Sequence, residues 1–131
     1  MVAYNFSPRF EVAIREGWKT QTIRRARDMH ARRGEMMQLF VGQRTARCHK
    51  ICPDVRCTEV MKVVISFDGD GAIERILTDG VPVNDLDAFA QRDGFEHADD
   101  MADFWRATHG PCRMWYGVII EWAAPRAGMV A

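Results

Sequence analysis

The spacing of apolar residues predicts a strand, a helix and a second extended segment in the first 24 residues. Residues 2–6 alternate between apolar and polar side chains, as a half-buried strand does. Ser7-Pro8 provides a helix N-cap followed by proline at the first helical position. Gly17 provides the left-handed residue that commonly ends a helix. The next residues, 19–24, are rich in β-branched side chains and predict an extended segment.

The middle of the chain predicts several strands separated by turns. Residues 25–33 are polar and basic without apolar periodicity, which predicts a loop. Strands are predicted over residues 36–41, 44–51, 58–67 and 72–78. Residues 67–71 join the last two strands as a turn, because Asp and Gly favour tight turns.

The apolar spacing then changes to the helical period. Asn84 is the predicted N-cap of a helix over 85–92, and Gly94 ends that helix. A second helix is predicted over 97–108, and a closing strand over 113–122. Mixed strands interrupted by helices indicate an α+β fold, with a small curled sheet or barrel flanked by helices.

Chain length and hydropathy predict one cytoplasmic domain. A chain of 131 residues fits a single domain, which we place over residues 1–124, and the small apolar residues 125–131 predict a flexible tail. The longest apolar runs are too short to cross a bilayer, so we expect no membrane partner. The N-terminus lacks the pattern of a signal peptide.

The charges are unevenly distributed, although the net charge is zero. Residues 1–50 carry 11 Arg and Lys against four acids, and residues 51–131 carry seven against 14. A basic half indicates either a phosphate-binding face or a surface that packs against the acidic half and is neutralised there.

Four cysteines raise the question of a metal site. Three of them, Cys48, Cys52 and Cys57, lie close together, and His49 and His109 are further possible ligands. The spacings match no common zinc finger, and a reducing compartment disfavours disulfides. We therefore expect free thiols and predict neither a metal nor a cofactor.

The segment Lys19-Thr20-Gln21-Thr22-Ile23-Arg24 concentrates reactive side chains. In a strand, Thr20, Thr22 and Arg24 share one face, and the other three residues share the opposite face. Lys and Thr close together provide either a nucleophile with its activator or an anion-binding pair. A solvated strand edge with polar side chains fits the same pattern.

The longer segment 14–24 resembles the hallmark of ASCH domains, which are similar to PUA domains. Later features of that family follow in the same order, so the resemblance covers about residues 4–123. They are Gly34-Glu35, the segment 89–95 followed by Phe104-Trp105, and the closing strand 116–122. The resemblance implies one ASCH domain built as a small PUA-like β-barrel of mixed strands with flanking helices. The cysteine-containing insert over 48–57 resembles versions from phage and prophage genes.

The resemblance also implies an activity. The best understood bacterial ASCH proteins hydrolyse N(4)-acetylcytidine to cytidine and acetate without a metal. The resemblance implies that the positions matching their catalytic residues are Lys19, Thr22 and Asp93. The family has Glu where this chain has Asp93, which is one methylene shorter, and Glu96 is the alternative carboxylate. Lys19 either takes the Thr22 proton or stays charged and stabilises the oxyanion. Asp93 either holds Lys19, activates water or protonates the leaving amine.

Further residues are candidates for substrate binding. Arg24 and Arg9 are expected to contact a carbonyl or phosphate, while Trp18 and Tyr4 either stack on a base or pack in the core. Thr20 completes the predicted binding set. The predicted function is an amidohydrolase acting on N(4)-acylcytidine or a similar modified nucleoside. An RNA-binding or RNA-cleaving module and a partner-binding scaffold are the alternatives.

Overall fold

The computed structural model describes residues 1–125, and its first elements follow the sequence pattern closely. They are β1 (Val2–Phe6), a 3₁₀ turn (Pro8–Phe10), α1 (Glu11–Glu16), β2 (Gln21–Arg24) and β3 (Met36–Val41). Gly17 adopts a left-handed conformation with φ of 88°, so it ends α1 as predicted.

The later elements form the rest of the sheet and two helices. They are β4 (His49–Lys50), β5 (Val55–Phe67), β6 (Ile73–Thr78), β7 (Val81–Pro82), α2 (Leu86–Arg92), α3 (Ala98–His109) and β8 (Met114–Trp122). The long strand β5 is central because it pairs with β3, β6 and β8. The α+β class predicted from the sequence is therefore confirmed.

The sheet follows the path β1-β3-β5-β8-β2, with β6 and β7 continuing from β5. Strands β1 and β3 run parallel, and the other pairs are antiparallel. Within residues 1–125, β1 and β2 do not pair, so the sheet is not closed into the expected barrel. At this seam the contact between the two strands is a hydrogen bond from the Arg24 side chain to the backbone carbonyl of Asn5, and no backbone ladder forms.

The structure corrects several element boundaries. The predicted strand over 44–51 is reduced to β4, because positive φ angles at Gly42 and Arg44 put turns in this segment. Strand β5 begins at Val55, before the predicted start, and the two-residue β7 was not predicted. The N-cap of α2 is Asp85, whose side chain accepts from the backbone N–H of Ala88, and not Asn84.

One hydrophobic core lies between the sheet and the helices. Its fully buried large residues include Ile14, Met37, Leu39, Ile65, Ile76, Phe89, Phe95, Met101 and Ile119. No helix in the described range is long and apolar enough to cross a membrane. Apart from Pro125, the predicted flexible tail lies outside the described residues.

Candidate active site

The end of α1 places Lys19 inside the protein. After the left-handed Gly17, the backbone N–H groups of Gly17, Trp18 and Lys19 all donate to the carbonyl of Ala13. This tight reversal directs the Lys19 side chain into the interior, where it is only 2% exposed. A lysine is almost never buried to this degree without partners.

The end of α2 and the start of β2 supply those partners. The backbone carbonyl of Arg92 accepts from the Thr20 N–H at 2.9 Å, which holds the end of α2 against the start of β2. Lys19 Nζ donates to the backbone carbonyls of Gln21 at 2.7 Å and Asp93 at 2.5 Å. It also lies 3.9 Å from Oδ1 of Asp93, whose side chain is buried.

Gly94 makes this close approach possible. Its φ is +98°, and a Cβ atom placed there would lie 2.7 Å from Cδ of Lys19 and 2.7 Å from a ring carbon of Phe10. Only glycine combines this backbone conformation with the absence of a side chain. The position that ends α2 is therefore also the position against which Lys19 packs.

Burial shifts the proton affinities of both members of the pair. Loss of hydration lowers the pKa of Lys19 from 10.5 to about 8, although the Asp93 carboxylate opposes this shift. Loss of hydration raises the pKa of Asp93 from 3.8 to about 6, against the effect of Lys19. Both shifts move the pKa values toward 7, and a group exchanges protons most readily when its pKa lies near the working pH.

Thr22 and Arg24 lie beside this pair on β2. Arg24 Nε donates to Oγ1 of Thr22 at 3.0 Å, and a second guanidinium nitrogen donates to the carbonyl of Asn5 at 2.7 Å. The guanidinium carbon lies 5.3 Å from the ring centroid of Tyr4 and 5.0 Å from that of Phe6. Arg24 is thereby fixed, and its cation is held next to the Thr22 hydroxyl.

These residues line one cleft of about 230 Å³. Its lining comprises Asn5, Phe6, Ser7, Phe10, Lys19, Thr22, Ile23, Arg24, Asp93, Phe95, Phe104, Trp105, Thr108 and His109. The cleft lies at the seam between β1 and β2 and is bounded by residues of α3 and of the α2–α3 connection. It combines aromatic rings with three hydroxyls, the Lys19 amine, the Arg24 guanidinium, the His109 imidazole and the Asp93 carboxylate.

The cleft brings together four of the predicted site residues. Lys19, Thr22 and Asp93, the predicted catalytic set, all line it, and so does Arg24. Glu96, the alternative carboxylate, is exposed and lies outside the cleft lining. Its backbone N–H donates to Asp100, and its carbonyl accepts from Gln91. The structure therefore favours Asp93 over Glu96 as the carboxylate beside Lys19.

The other predicted binding residues lie outside the cleft lining. Tyr4 is 1% exposed, and its hydroxyl contacts His30 and accepts from the Ala31 N–H, so it belongs to the core. Trp18 is 45% exposed and lies outside the cleft. Thr20 acts through its backbone, which bonds to Arg92 and Trp122.

Arg9 supports the aromatic wall from outside. Its guanidinium carbon lies 4.9–5.3 Å from the ring centroids of Phe10, Phe95 and Phe104. It also pairs with Asp100 at 3.3 Å. Arg9 therefore covers the outer side of these rings and does not line the cleft.

Sequence reasoning missed two polar contributors. His109, the last residue of α3, lines the cleft, and its ring centroid lies 5.0 Å from that of Trp105 and 5.5 Å from that of Trp115, with the ring planes tilted. Partial burial, with a smaller contribution from Arg25, lowers the pKa of His109 and so favours its neutral form. Gln21 is fully buried and donates to Oδ1 of Asp93 at 3.3 Å. The sequence feature that could have pointed to Gln21 was its position between Thr20 and Thr22 in the Lys-Thr-x-Thr segment.

A larger depression of about 330 Å³ lies elsewhere, between residues 67–71 and 110–113. It contains neither Lys19 nor Asp93. The Asp68 carboxylate in it accepts from two backbone N–H groups of its own turn, and Arg113 donates to the carbonyl of Phe67. These polar groups are engaged in shaping the turns, so we assign the chemistry to the smaller cleft.

The four cysteines are free, with Cys48 exposed and Cys57 buried. Among residues 1–125, no group of three or more His, Cys, Asp or Glu side chains is placed to hold a metal ion. Burial raises the pKa of the Cys57 and Cys52 thiols, which makes them poorer nucleophiles.

The chain matches no model of a known protein family, no curated protein and no solved structure. The geometry of the cleft is therefore what distinguishes among the functions that the sequence leaves open.

Proposed function

We propose that this chain is an ASCH-type amidohydrolase that removes a short acyl group from the exocyclic amine of cytidine or a similar modified nucleoside. The observation that carries the proposal is the buried Lys19–Asp93 pair, which shares one cleft with the Thr22 hydroxyl. Buried ionisable groups with strongly shifted pKa values in a cleft are typical of acid–base sites. The resemblance of residues 14–24 to the ASCH hallmark supports the same activity.

Thr22 is the nucleophile of the proposed reaction, and neutral Lys19 is its base. Arg24 fixes Oγ1 of Thr22 and leaves the hydroxyl hydrogen available to a base. A neutral amine has two N–H groups, and the backbone carbonyls of Gln21 and Asp93 occupy them. In the proposed mechanism, the remaining lone pair of Nζ accepts the proton of Thr22, which lines the same cleft. Oγ1 then attacks the acyl carbonyl carbon, and the neighbouring cations stabilise the oxyanion.

Two further steps complete the hydrolysis. Collapse of the tetrahedral intermediate breaks the C–N bond, and the leaving amine takes the proton from the Lys19 ammonium. The acyl group remains on Thr22 as an ester. The Asp93 carboxylate takes a proton from water, the resulting hydroxide attacks the ester, and the released Thr22 oxygen regains that proton from Asp93. The sum is one amide and one water converted to an amine and a carboxylic acid.

The size and lining of the cleft support a small planar substrate. A volume of about 230 Å³ is below the roughly 300–1,000 Å³ that is common for drug-sized ligands. Phe6, Phe104 and Trp105 offer aromatic surface against which a nucleobase stacks. His109, as a neutral imidazole, offers one donor and one acceptor to the polar edge of that base.

A PUA-like arrangement of the single domain over residues 1–124 is part of the proposal. The path β1-β3-β5-β8-β2 curls until the Arg24 side chain reaches the backbone of Asn5 across the seam. The cleft lies along this seam, where a cleft of the ASCH type is expected.

The direct test is incubation of the protein with N(4)-acetylcytidine, with cytidine and acetate measured by chromatography. We expect turnover by the wild type. Lys19→Met, Thr22→Val and Asp93→Asn should each lower kcat/KM by at least about 100-fold, the lower range for a positioned acid or base. Lys62→Met is the matched control, because Lys62 is exposed on β5 outside the cleft.

Two results would count against the proposal. One is the absence of cytidine release by the folded wild type. The other is a wild-type rate in Lys19→Met, since the mechanism has no other base for Thr22. Circular dichroism of each variant separates loss of chemistry from loss of folding.

RNA binding is a second candidate, and a specific observation favours it. Arg25, Arg27, Arg32 and Arg33 are exposed on the loop between β2 and β3, which begins directly after the cleft residue Arg24. Within the described range none of these four forms a salt bridge. A cluster of uncompensated arginines is the usual electrostatic footprint of a phosphate-binding face.

Salt dependence of binding tests this candidate. RNA affinity should fall steeply with salt, and replacing the four loop arginines by Gln should reduce the salt slope. The control carries Gln at four exposed arginines outside the loop, Arg15, Arg44, Arg47 and Arg75, so that net charge is matched. An equal loss of RNA affinity in both variants would exclude a specific RNA-binding face on this loop. The absence of RNA affinity in the wild type at low salt would exclude RNA binding altogether.

A further inference from the structure

Gln21 contacts both members of the buried pair. Its backbone carbonyl accepts from Nζ of Lys19 at 2.7 Å, and its side-chain Nε2 donates to Oδ1 of Asp93 at 3.3 Å. Gln21 itself is 0% exposed, and its backbone is fixed in β2 by pairing with Glu121 of β8. One rigidly held residue therefore touches the proposed base and the proposed carboxylate.

The Gln21 side chain also contains a buried polar atom without a hydrogen-bond partner, which destabilises the folded state. In the described part of the chain, its Oε1 is buried and accepts no hydrogen bond. Buried acceptors without a donor are rare because they lose hydration and gain nothing in return. A methionine would fill a similar volume without an orphaned polar atom, so packing alone does not explain an amide at this position.

We infer that Gln21 is the positioning residue of the cleft, and that its amide orients the Asp93 carboxylate in both of its protonation states. When Asp93 is ionised, Nε2 donates to Oδ1, and Asp93 lines the cleft with its position fixed by this bond. Rotation of the amide by half a turn exchanges its nitrogen and oxygen. Oε1 then accepts the proton of a neutral Asp93, so the same side chain holds the acid that forms during turnover.

The role also follows from the short side chain of Asp93. An aspartate reaches one methylene less far than a glutamate, so its position depends more strongly on what holds it. Lys19 is 3.9 Å from Oδ1, which is too long for a hydrogen bond, whereas Gln21 makes a direct one. Gln21 therefore supplies the directional contact, and Lys19 supplies the charge.

Other charged groups act on the same carboxylate and are held constant in the test. Lys19, which precedes β2, and Arg24, at the end of β2, lower the pKa of Asp93, as does the hydrogen bond from Gln21. Arg9, from the 3₁₀ turn, acts on Lys19, and His109 faces the cleft from the end of α3. None of these groups is altered when Gln21 alone is replaced.

The decisive measurement is the titration of Asp93 by carbon-13 NMR in the wild type and in Gln21→Met. The hydrogen bond to the ionised carboxylate is charge-assisted and therefore stronger than the bond to the neutral acid. Loss of both in Gln21→Met should raise the pKa of Asp93 by about half to one pH unit. Gln38→Met is the matched control, because Gln38 lies on β3 outside the cleft, and it should leave the titration unchanged. An unchanged Asp93 titration in folded Gln21→Met overturns the inference.

A second measurement needs no variant. In the wild type, the Nε2 resonance of Gln21 should shift with pH at the midpoint of the Asp93 titration, because the amide changes partner there. A resonance that stays constant while Asp93 titrates would refute the exchange of partners. This readout holds even if Gln21→Met does not fold.

The catalytic readout of this inference rests on the proposed function, and the NMR readouts do not. If the wild type hydrolyses N(4)-acetylcytidine, the acid limb of its kcat/KM profile should move with the Asp93 pKa in Gln21→Met. An unmoved limb would show that Gln21 has no positioning role. If the wild type releases no cytidine, the proposed function fails, and the titrations still decide the role of Gln21.

Discussion

Lys19 donates a 2.5 Å hydrogen bond from Nζ to the backbone carbonyl of Asp93, although 74 residues separate them along the chain. The bond joins the end of α1 to the end of α2 and buries an amine beside a carboxylate. Two short helices thus bring together the buried pair of the candidate site. Four predictions follow from this geometry and its immediate surroundings.

The pH dependence of hydrolysis tests the protonation states in the mechanism. Lys19 must be neutral and Asp93 ionised, and their pKa values are about 8 and about 6. Log kcat/KM should therefore rise with a slope of about 2 below pH 6, with a slope of about 1 between pH 6 and 8, and level off above. A rate that falls above pH 8 would instead identify the Lys19 ammonium as the active form.

Gly94→Ala should disturb the site directly. The new Cβ would lie 2.7 Å from the Lys19 side chain in a backbone conformation that L residues avoid. We expect a loss of about 1–2 kcal/mol from the left-handed backbone and about 1–3 kcal/mol from overpacking, together with a reduced kcat. Chemical denaturation and steady-state kinetics measure the two effects.

Gly80→Ala is the matched control for this variant. Gly80 also has a positive φ, of +81°, but nothing lies within 4 Å of a Cβ placed there. Gly80→Ala should therefore lose only the part of the free energy of unfolding that comes from the left-handed backbone, and it should keep its activity. Equal losses of stability and activity in both variants would show that contact with Lys19 is unimportant.

Arg24→Lys tests the contact with the proposed nucleophile. A lysine keeps the charge but loses the planar fork that reaches Thr22 and Asn5 together. A hydrogen bond from a charged donor contributes about 1.5–3 kcal/mol, so kcat/KM should fall about 10- to 100-fold. Arg75→Lys, at an exposed position on β6, should remain active. Retention of full activity in Arg24→Lys would show that charge alone is sufficient.

Tyr4→Phe should affect stability and not substrate affinity. The Tyr4 hydroxyl accepts from the buried N–H of Ala31 at 3.0 Å, so its removal leaves that donor unpaired. We expect the free energy of unfolding to fall by about 1–3 kcal/mol. KM should stay constant because Tyr4 lies outside the cleft lining. An increase in KM without a loss of stability would return Tyr4 to the substrate-binding residues.

Local rules in the sequence predicted most of the elements. The alternation in β1, the Ser7-Pro8 start and the left-handed Gly17 act over a few residues, and the structure confirms the strand and the two ends of the helical segment. The Ser7 side chain makes no capping hydrogen bond, however, and the first turn of that segment is a 3₁₀ helix. The same local rules failed where turns interrupt a segment whose composition favours a strand. Residues 44–51 have strand-like composition, but successive turns at Gly42 and Arg44 leave only β4.

The residues of the candidate site were also predictable only in part from the sequence. The sequence by itself determined that Lys19, Thr22 and Arg24 share one short extended segment, because strand geometry fixes neighbours along the chain. Only the tertiary structure decided that Asp93 and not Glu96 meets Lys19, that Tyr4 is core, and that Gln21 holds the carboxylate. The physical reason is that burial and long-range hydrogen bonds depend on how α2 docks against β2, which no local pattern specifies.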